Sequence, residues 1–235
     1  MKFSEKILPN QEENRKLYID SDLYLDRLYS VILQSCQLID FDSENTFHVH
    51  KDFSIEDMSV SPVYFSLLET LISLKPFKKI LEIGSFLGTT SVRLSNIVGQ
   101  EGHVTTIEKY DQFANIAKKN IIRNCRFDNV NLICGDAINI LDRMSGKEKF
   151  DFVFLDGNKE RYYDYIMLID DLIEEGGMIV VDDIFFHGDG LNECPSTEKG
   201  KGVKKVLDNL KNLTKYRSTI LPIGNGCLIM TRKAG

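Results

Sequence analysis

The chain has 235 residues, 43% of them hydrophobic, enough for one sizeable α/β core or at most two small domains. A formal net charge of −6, with no basic stripe interleaved with aromatics, argues against a nucleic-acid partner. No run of about 18 apolar residues offers a membrane span, and the opening M-K-F-S-E-K-I-L-P-N turns polar too early for a secretory leader, so a cytoplasmic protein is expected.

The five cysteines (Cys36, Cys125, Cys134, Cys194, Cys227) are scattered and form no C-x-x-C, which favours reduced thiols over a disulfide framework or zinc site. The four histidines are scattered too, and no H-E-x-x-H occurs.

Residues 1–20 are polar, with a short helix expected around Glu12–Ile19. Leu25, Leu28, Tyr29, Ile32, Leu33 and Cys36 then follow the i, i+3, i+4 spacing of an amphipathic helix, capped by Ser21 or Asp22. Asp40–Asp57 reads as loop. Pro62 opens the next helix at the favoured first position, with Phe65, Leu68, Leu71 and Ile72 on its apolar face, and the helix ends before Pro76.

From Lys79 the pattern becomes regular. Strands are expected at Lys79–Gly84, His103–Glu108, Val130–Gly135, Phe150–Asp156 and Met178–Asp182. Helices are expected at Thr89–Val98, Tyr110–Asn124, Ala137–Ser145 and Arg161–Glu174. This alternation implies a parallel sheet with right-handed crossovers. A last helix, Lys201–Leu213, precedes strands Ser218–Pro222 and Gly226–Thr231, whose short connection makes them a hairpin and gives the sheet one antiparallel strand at its end. The expectation is one domain over 1–235, with a catalytic core at 58–235 and an N-terminal helical extension at 1–57.

The stretch K-K-I-L-E-I-G-S-F-L-G-T-T-S is a buried strand, a glycine turn and a helix start, a unit that holds nucleotide-like ligands at a sheet's carboxyl edge. Its spacing, Gly84-x-x-x-Gly88, lacks the middle glycine that lets a backbone approach a pyrophosphate. Glu82 before the turn suits a cationic amine. Glu108, ending the second strand, suits ribose hydroxyls, and Asp136 after the third suits an adenine amino group. A ligand with ribose, adenine and an ammonium but no phosphate is S-adenosylmethionine.

A second constellation lies further along. F-D-F-V-F-L-D-G-N-K puts Asp156 at the carboxyl edge with Lys159 just beyond, and G-G-M-I-V-V-D-D puts Asp182 and Asp183 at the same edge. On neighbouring strands about 5 Å apart, three carboxylates converge, and a hard divalent cation with oxygen ligands, Mg²⁺ first and Ca²⁺ or Mn²⁺ next, would relieve their repulsion.

Here the residues carry a family likeness. M-S-V-S-P (Met58–Pro62), L-E-I-G-S-F-L-G-T-T, F-D-F-V-F-L-D-G-N-K-E-R-Y, G-G-M-I-V-V-D-D-I and L-P-I-G-N-G occur in register from about Tyr24 to Thr231. Together they make the chain resemble the cation-dependent class I O-methyltransferases, the caffeoyl-CoA and catechol O-methyltransferase group, most closely the caffeoyl-CoA-type branch and its bacterial members. The resemblance implies a Rossmann-like, seven-stranded, mostly parallel sheet with helices on both faces. It implies S-adenosylmethionine bound by Met58, Val60, Glu82, Gly84, Thr90, Glu108 and Ala137. Ser85, Phe86, Gly88, Lys109 and Asp156 join that candidate set, with Asp136 added on the spatial argument. It implies a metal held by Asp156, Asp182 and Asp183, and a homodimer.

Three departures stand out. Asp183 occupies a position that is usually Asn in the family, and Asn158 and Asn225 stand where acids are common. His187–Gly202 departs most, and it falls where acceptor contacts are expected. The expected reaction is methylation of a hydroxyl on a small diphenolic acceptor held at the cation by both oxygens, with Asp156 and Lys159 the catalytic residues. Lys159 accepts the proton if burial or the cation depresses its pKa. A nucleotide-dependent oxidoreductase and a non-catalytic S-adenosylmethionine-binding module remain alternatives on sequence alone; RNA methylation is disfavoured by the acidic charge and the absence of N-P-P-Y.

Overall fold

Why the strands are strands is visible in their two-faced burial. In the computed structural model, which describes residues 60–125 and 127–235 together with Ser30, Val31, Gln34, Phe47 and His48, nearly every strand position from Ile80 to Ile83 and from Phe152 to Leu155 is fully buried. Parallel strands covered by helices on both sides require such continuous apolar runs rather than alternation.

The elements in order are α1 (Pro62–Leu74), β1 (Lys79–Ile83), α2 (Thr89–Val98), β2 (His103–Glu108), α3 (Asp111–Asn124), β3 (Val130–Cys134) and α4 (Ala137–Met144). Then come β4 (Phe150–Leu155), α5 (Tyr162–Ile169), β5 (Ile173–Val181), α6 (Glu198–Asn209), β6 (Tyr216–Leu221) and β7 (Cys227–Arg232). The seven strands run in the order β3-β2-β1-β4-β5-β7-β6. The first five are parallel; β7 is antiparallel to both β5 and β6. The expected hairpin and reversed strand are therefore present, but the reversed strand lies inside and β6 forms the edge.

Two apolar cores follow from the strand period of two. Leu81, Ile83, Val153, Leu155, Ile179 and Val181 face α4, α5 and α6. Ile80, Phe152, Phe154 and Val180 face α1 and α2, and a smaller cluster of Val92, Ala117 and Ile121 joins α2 to α3. Pro62 at the first position of α1, with Ser61 Oγ accepting from the Tyr64 N–H at 3.2 Å, starts α1 where the sequence predicts it.

Several boundaries differ. The helix expected over Arg161–Glu174 ends at Ile169, and from Ile173 the chain is already β5. Phe150 pairs with Ile173 while Phe152 pairs with Met178, so Glu174-Glu175-Gly176-Gly177 is absorbed as a bulge, with Gly176 at φ +70. The last helix begins at Glu198 rather than Lys201, because Thr197 Oγ1 caps it through the Gly200 N–H at 2.9 Å. Gly200 and Gly202 resemble breakers in the sequence. In the fold they allow close approach: a Cβ on Gly200 would overlap the Asp189 carboxylate, and one on Gly202 the Lys159 carbonyl oxygen.

The chain divides into two compact units, Met1–Ile39 and Asp40–Gly235, and the sheet lies in the second. In the first, Ser30, Val31 and Gln34 are helical, as the Leu25–Cys36 pattern predicts for those three. The short helix at Glu12–Ile19, the Ser21 or Asp22 cap, nearly all of Asp40–Asp57 and the candidate residue Met58 lie outside the described residues. Among the described residues no helix is long and apolar enough to cross a membrane.

Candidate active site

Strand order reverses between β1 and β4, and the crevice at such a switch point is where open α/β sheets take ligands. The hydrogen bonds just past the strand ends lock its floor: Gly84 N–H to Ile107 O at 2.9 Å, Asp156 N–H to Ile83 O at 3.0 Å, and Asp182 N–H to Leu155 O at 3.0 Å. Gly84 is required twice over. Its φ is +100, and a Cβ would overlap the Asp156 carbonyl oxygen. The turn and the acid edge are therefore in backbone contact.

On the turn side, Glu82 is fully buried. Its Oε2 accepts from the Ser91 and Thr106 hydroxyls, while Oε1 has no partner. Burial pushes its pKa up to about 7, against the pull of those hydroxyls. Ser85 is buried with its hydroxyl unpartnered as well. Glu108 accepts the Phe86 N–H and the Tyr110 N–H, each at 2.9 Å, one on each oxygen. Burial raises its pKa against the pull of those amides. The bond to Phe86 holds that residue at φ +45, with its ring 4.9 Å from that of Phe113.

Gly88, at φ +79, precedes α2 and lies against Ala117 of α3. Thr90 is buried in the first turn of α2, Val60 is buried in the α1 core, and Ala137 opens α4. Asp136 spends one oxygen capping α4 through the Ile138 N–H at 3.1 Å; the other pairs with Lys109 at 3.2 Å. Both line a cavity of about 400 Å³ together with Asn158, Arg161 and Tyr165, three residues that the sequence reading did not assign to a cofactor. A buried carboxylate oxygen and a buried hydroxyl without partners, at a glycine turn, fit a ligand that brings an amine and hydroxyl groups.

On the acid side, β4 and β5 are neighbours, as the convergence argument requires, and Leu155 and Val181 are paired. Asp183 sits at φ +54, a left-handed position that Asn and Asp tolerate better than other non-glycine residues. Its N–H donates to Asp182 Oδ1 at 2.7 Å. The Lys159 ammonium spans the gap, 2.7 Å from Asp156 Oδ1 and 3.0 Å from Asp183 Oδ2, with its side chain 14% exposed.

Two carboxylates thus share one ammonium, with the Asp182 carboxyl close by. Burial and the charges of Asp156 and Asp183 push Asp182 up to about 8. Burial raises Asp156 against the pull of Lys159. For Lys159, burial alone would lower the pKa, but the neighbouring Tyr162, Asp156 and Asp183 reverse this and hold it above its usual value. Tyr162 is itself fully buried and pushed up, so its phenol stays neutral and the two aspartates carry the reversal. Burial therefore does not leave the Lys159 pKa depressed, because the two aspartates favour the charged ammonium.

Two tyrosines approach this edge without having been assigned to the site. Tyr64 of α1 donates its hydroxyl to Val181 O at 3.4 Å, and Tyr162 has its ring centre 5.9 Å from Lys159 Nζ and its hydroxyl unpartnered. Their spacing in sequence reads as ordinary core aromatics. Among the described residues no three acidic, imidazole or thiol groups stand together as a ready metal site. Even so, Asp156, Asp182 and Asp183 offer only carboxyl oxygens as donors, which fits a hard divalent cation.

The family model described as O-methyltransferase matches residues 37–233. The chain belongs to the O-methyltransferase family. It is 30% identical over 166 residues to a catechol O-methyltransferase of Niastella koreensis, covering 70% of this chain and 75% of that protein. To the Dictyostelium discoideum protein named "Probable caffeoyl-CoA O-methyltransferase 1" it is 26% identical over 232 residues, covering 97% and 99%. Among solved structures, the O-methyltransferase of tomaymycin synthesis from Streptomyces achromogenes, in complex with SAM, has a TM-score of 0.72 at 24% identity, covering 96% of this chain and all of that one. The Bacillus cereus O-methyltransferase, in complex with SAH, has a TM-score of 0.70 at 21% identity, covering 98% and 94%. The fold is the Rossmann-like class I methyltransferase fold, and the protein is an S-adenosylmethionine-dependent O-methyltransferase.

Proposed function

We propose that this O-methyltransferase methylates a hydroxyl of a small vicinal diphenol, catechol-like or caffeoyl-type, with the help of a divalent cation held by Asp156, Asp182 and Asp183. The observation that carries the reading is the acid edge itself, where Asp156 and Asp183 pair with a single ammonium and a third carboxyl, Asp182, is close enough for their charges to raise its pKa. The names of the Niastella and Dictyostelium relatives support the acceptor class.

S-adenosylmethionine, when bound, supplies an already activated methyl group. The cation, when bound, supplies Lewis acidity and a template for two adjacent oxygens. What this chain's residues contribute is position. Glu82 Oε1 offers the unfilled acceptor for the cofactor's ammonium, and Ser85 offers a hydroxyl beside it. Glu108, its orientation fixed by two backbone amides, keeps a free lone pair on each oxygen for ribose hydroxyls. Gly84 against Asp156 couples the donor's cradle to the acceptor's side of the crevice, so most of the catalysis is alignment of two held reactants. Lys159 takes the hydroxyl proton only when freed from its two carboxylate partners.

The test is a methyl-transfer screen by mass spectrometry over vicinal diphenols and matched monophenols, with and without Mg²⁺. Products from the diphenols alone, lost in Asp156→Ala, are expected. Equal methylation of monophenols, or full activity in Asp156→Ala, would overturn the reading.

A further inference from the structure

Lys159 occupies the place between carboxylates that a cation would take. Among the described residues it supplies the ion pair to both Asp156 and Asp183, with two of its three donors used on them. Its backbone has little room to move, since Gly202 of α6 abuts the Lys159 carbonyl oxygen. Any exchange at this position is therefore a swing of the side chain. The Tyr162 ring centre lies 5.9 Å from the Lys159 ammonium nitrogen, and its hydroxyl is fully buried and without a hydrogen-bond partner. An unpartnered hydroxyl at full burial, on a ring 5.9 Å from an ammonium, is an unmet hydrogen-bonding demand that the four-carbon lysine stem can be turned to meet.

We propose that Lys159 is the resident counter-cation of Asp156 and Asp183, that a divalent cation enters by displacing it, and that the Tyr162 hydroxyl receives the displaced ammonium. The inference rests on the metal reading above and adds an order to it: the lysine leaves the carboxylates as the metal arrives. It gives Tyr162 a positioning role that its place in an apolar helix conceals.

The test uses Mn²⁺ alone, titrated into the full chain without methyl donor or acceptor and followed by electron paramagnetic resonance of the free ion. Calorimetry with S-adenosylhomocysteine checks that each variant is folded. Lys159→Met, which keeps the stem and removes the charge, is expected to bind Mn²⁺ about tenfold or more tightly than wild type. Tyr162→Phe, which removes only the receiving oxygen, is expected to bind it about tenfold more weakly. A charge that is merely nearby would give the first result without the second, so an unchanged Tyr162→Phe overturns the receiving role. Equal Mn²⁺ affinity in wild type and Lys159→Met overturns displacement and leaves the metal reading standing. No uptake by any of the three overturns both.

Discussion

At the glycine turn, Glu108 has each carboxylate oxygen bonded to a backbone N–H, and Glu82 has one oxygen shared between two hydroxyls. At the ends of β4 and β5, Asp156 and Asp183 lean on one lysine, and the third carboxyl, Asp182, takes the Asp183 N–H. Both regions bury acids at the same sheet edge, and they handle the cost differently. The turn satisfies its carboxylates from the protein's own donors and is a preformed cradle with two open valences. The acid edge crowds three carboxyl groups around one ammonium's worth of positive charge, and the raised pKa values of Asp182 and Asp156 show the strain that a further positive charge would relieve. Buried carboxylates left under-compensated are expensive for folding alone, so the difference separates a region built to receive a whole ligand from one built to receive charge.

The hardest break is at the contact joining the regions. Gly84→Ala forces a side chain into a φ of +100 and into the Asp156 carbonyl. Strain and overlap together should cost about 4 kcal/mol. Thermal unfolding should show it, with S-adenosylhomocysteine binding lost in the same variant; retention of both would separate the two regions after all.

A subtler break uses pH. Glu82 titrates at about 7 in the fold against an ordinary 4.5, so between these values the folded chain binds a proton that the unfolded chain has released. Stability should therefore fall as pH rises from 4.5 to 7, by about 3 kcal/mol. Glu82→Gln should lack this slope. Urea unfolding at pH 5 and pH 7.5 measures it, and parallel slopes in the two proteins would remove Glu82 from the account. Smallest is Glu108→Gln, which leaves one acceptor for two amides. We expect a loss of about 1–2 kcal/mol and weaker S-adenosylhomocysteine binding, with Mn²⁺ affinity unchanged.

Much of this was legible in the sequence because parallel strands buried on both faces write themselves as apolar runs, and the residue after each run falls at the carboxyl edge. That logic brought Glu82, Glu108, Asp156 and Asp182 to one edge without any contact being known. What was not legible depends on partners distant in sequence. The sequence reads Lys159 as a base; that it also pairs with Asp183, at the end of another strand, leaves no mark there. Tyr162 follows the apolar rhythm of α5, so its unpartnered hydroxyl leaves no mark in the periodicity. The end of α5 was missed because Glu174 and Glu175 suit a helix, whereas the bulge pairing Ile173 with Phe150 decides otherwise. The start of α6 was missed because its glycines serve contacts with Asp189 and Lys159 rather than flexibility.

The most direct test of the contrast between the two regions is a chelation experiment on one sample at saturating S-adenosylmethionine and a vicinal diphenol. The rate of methyl transfer is followed through addition of EDTA and then of excess Mg²⁺. The account predicts that transfer stops with the chelator and returns with Mg²⁺, while S-adenosylhomocysteine affinity, measured alongside, stays the same throughout. Transfer that continues unchanged in EDTA would contradict it.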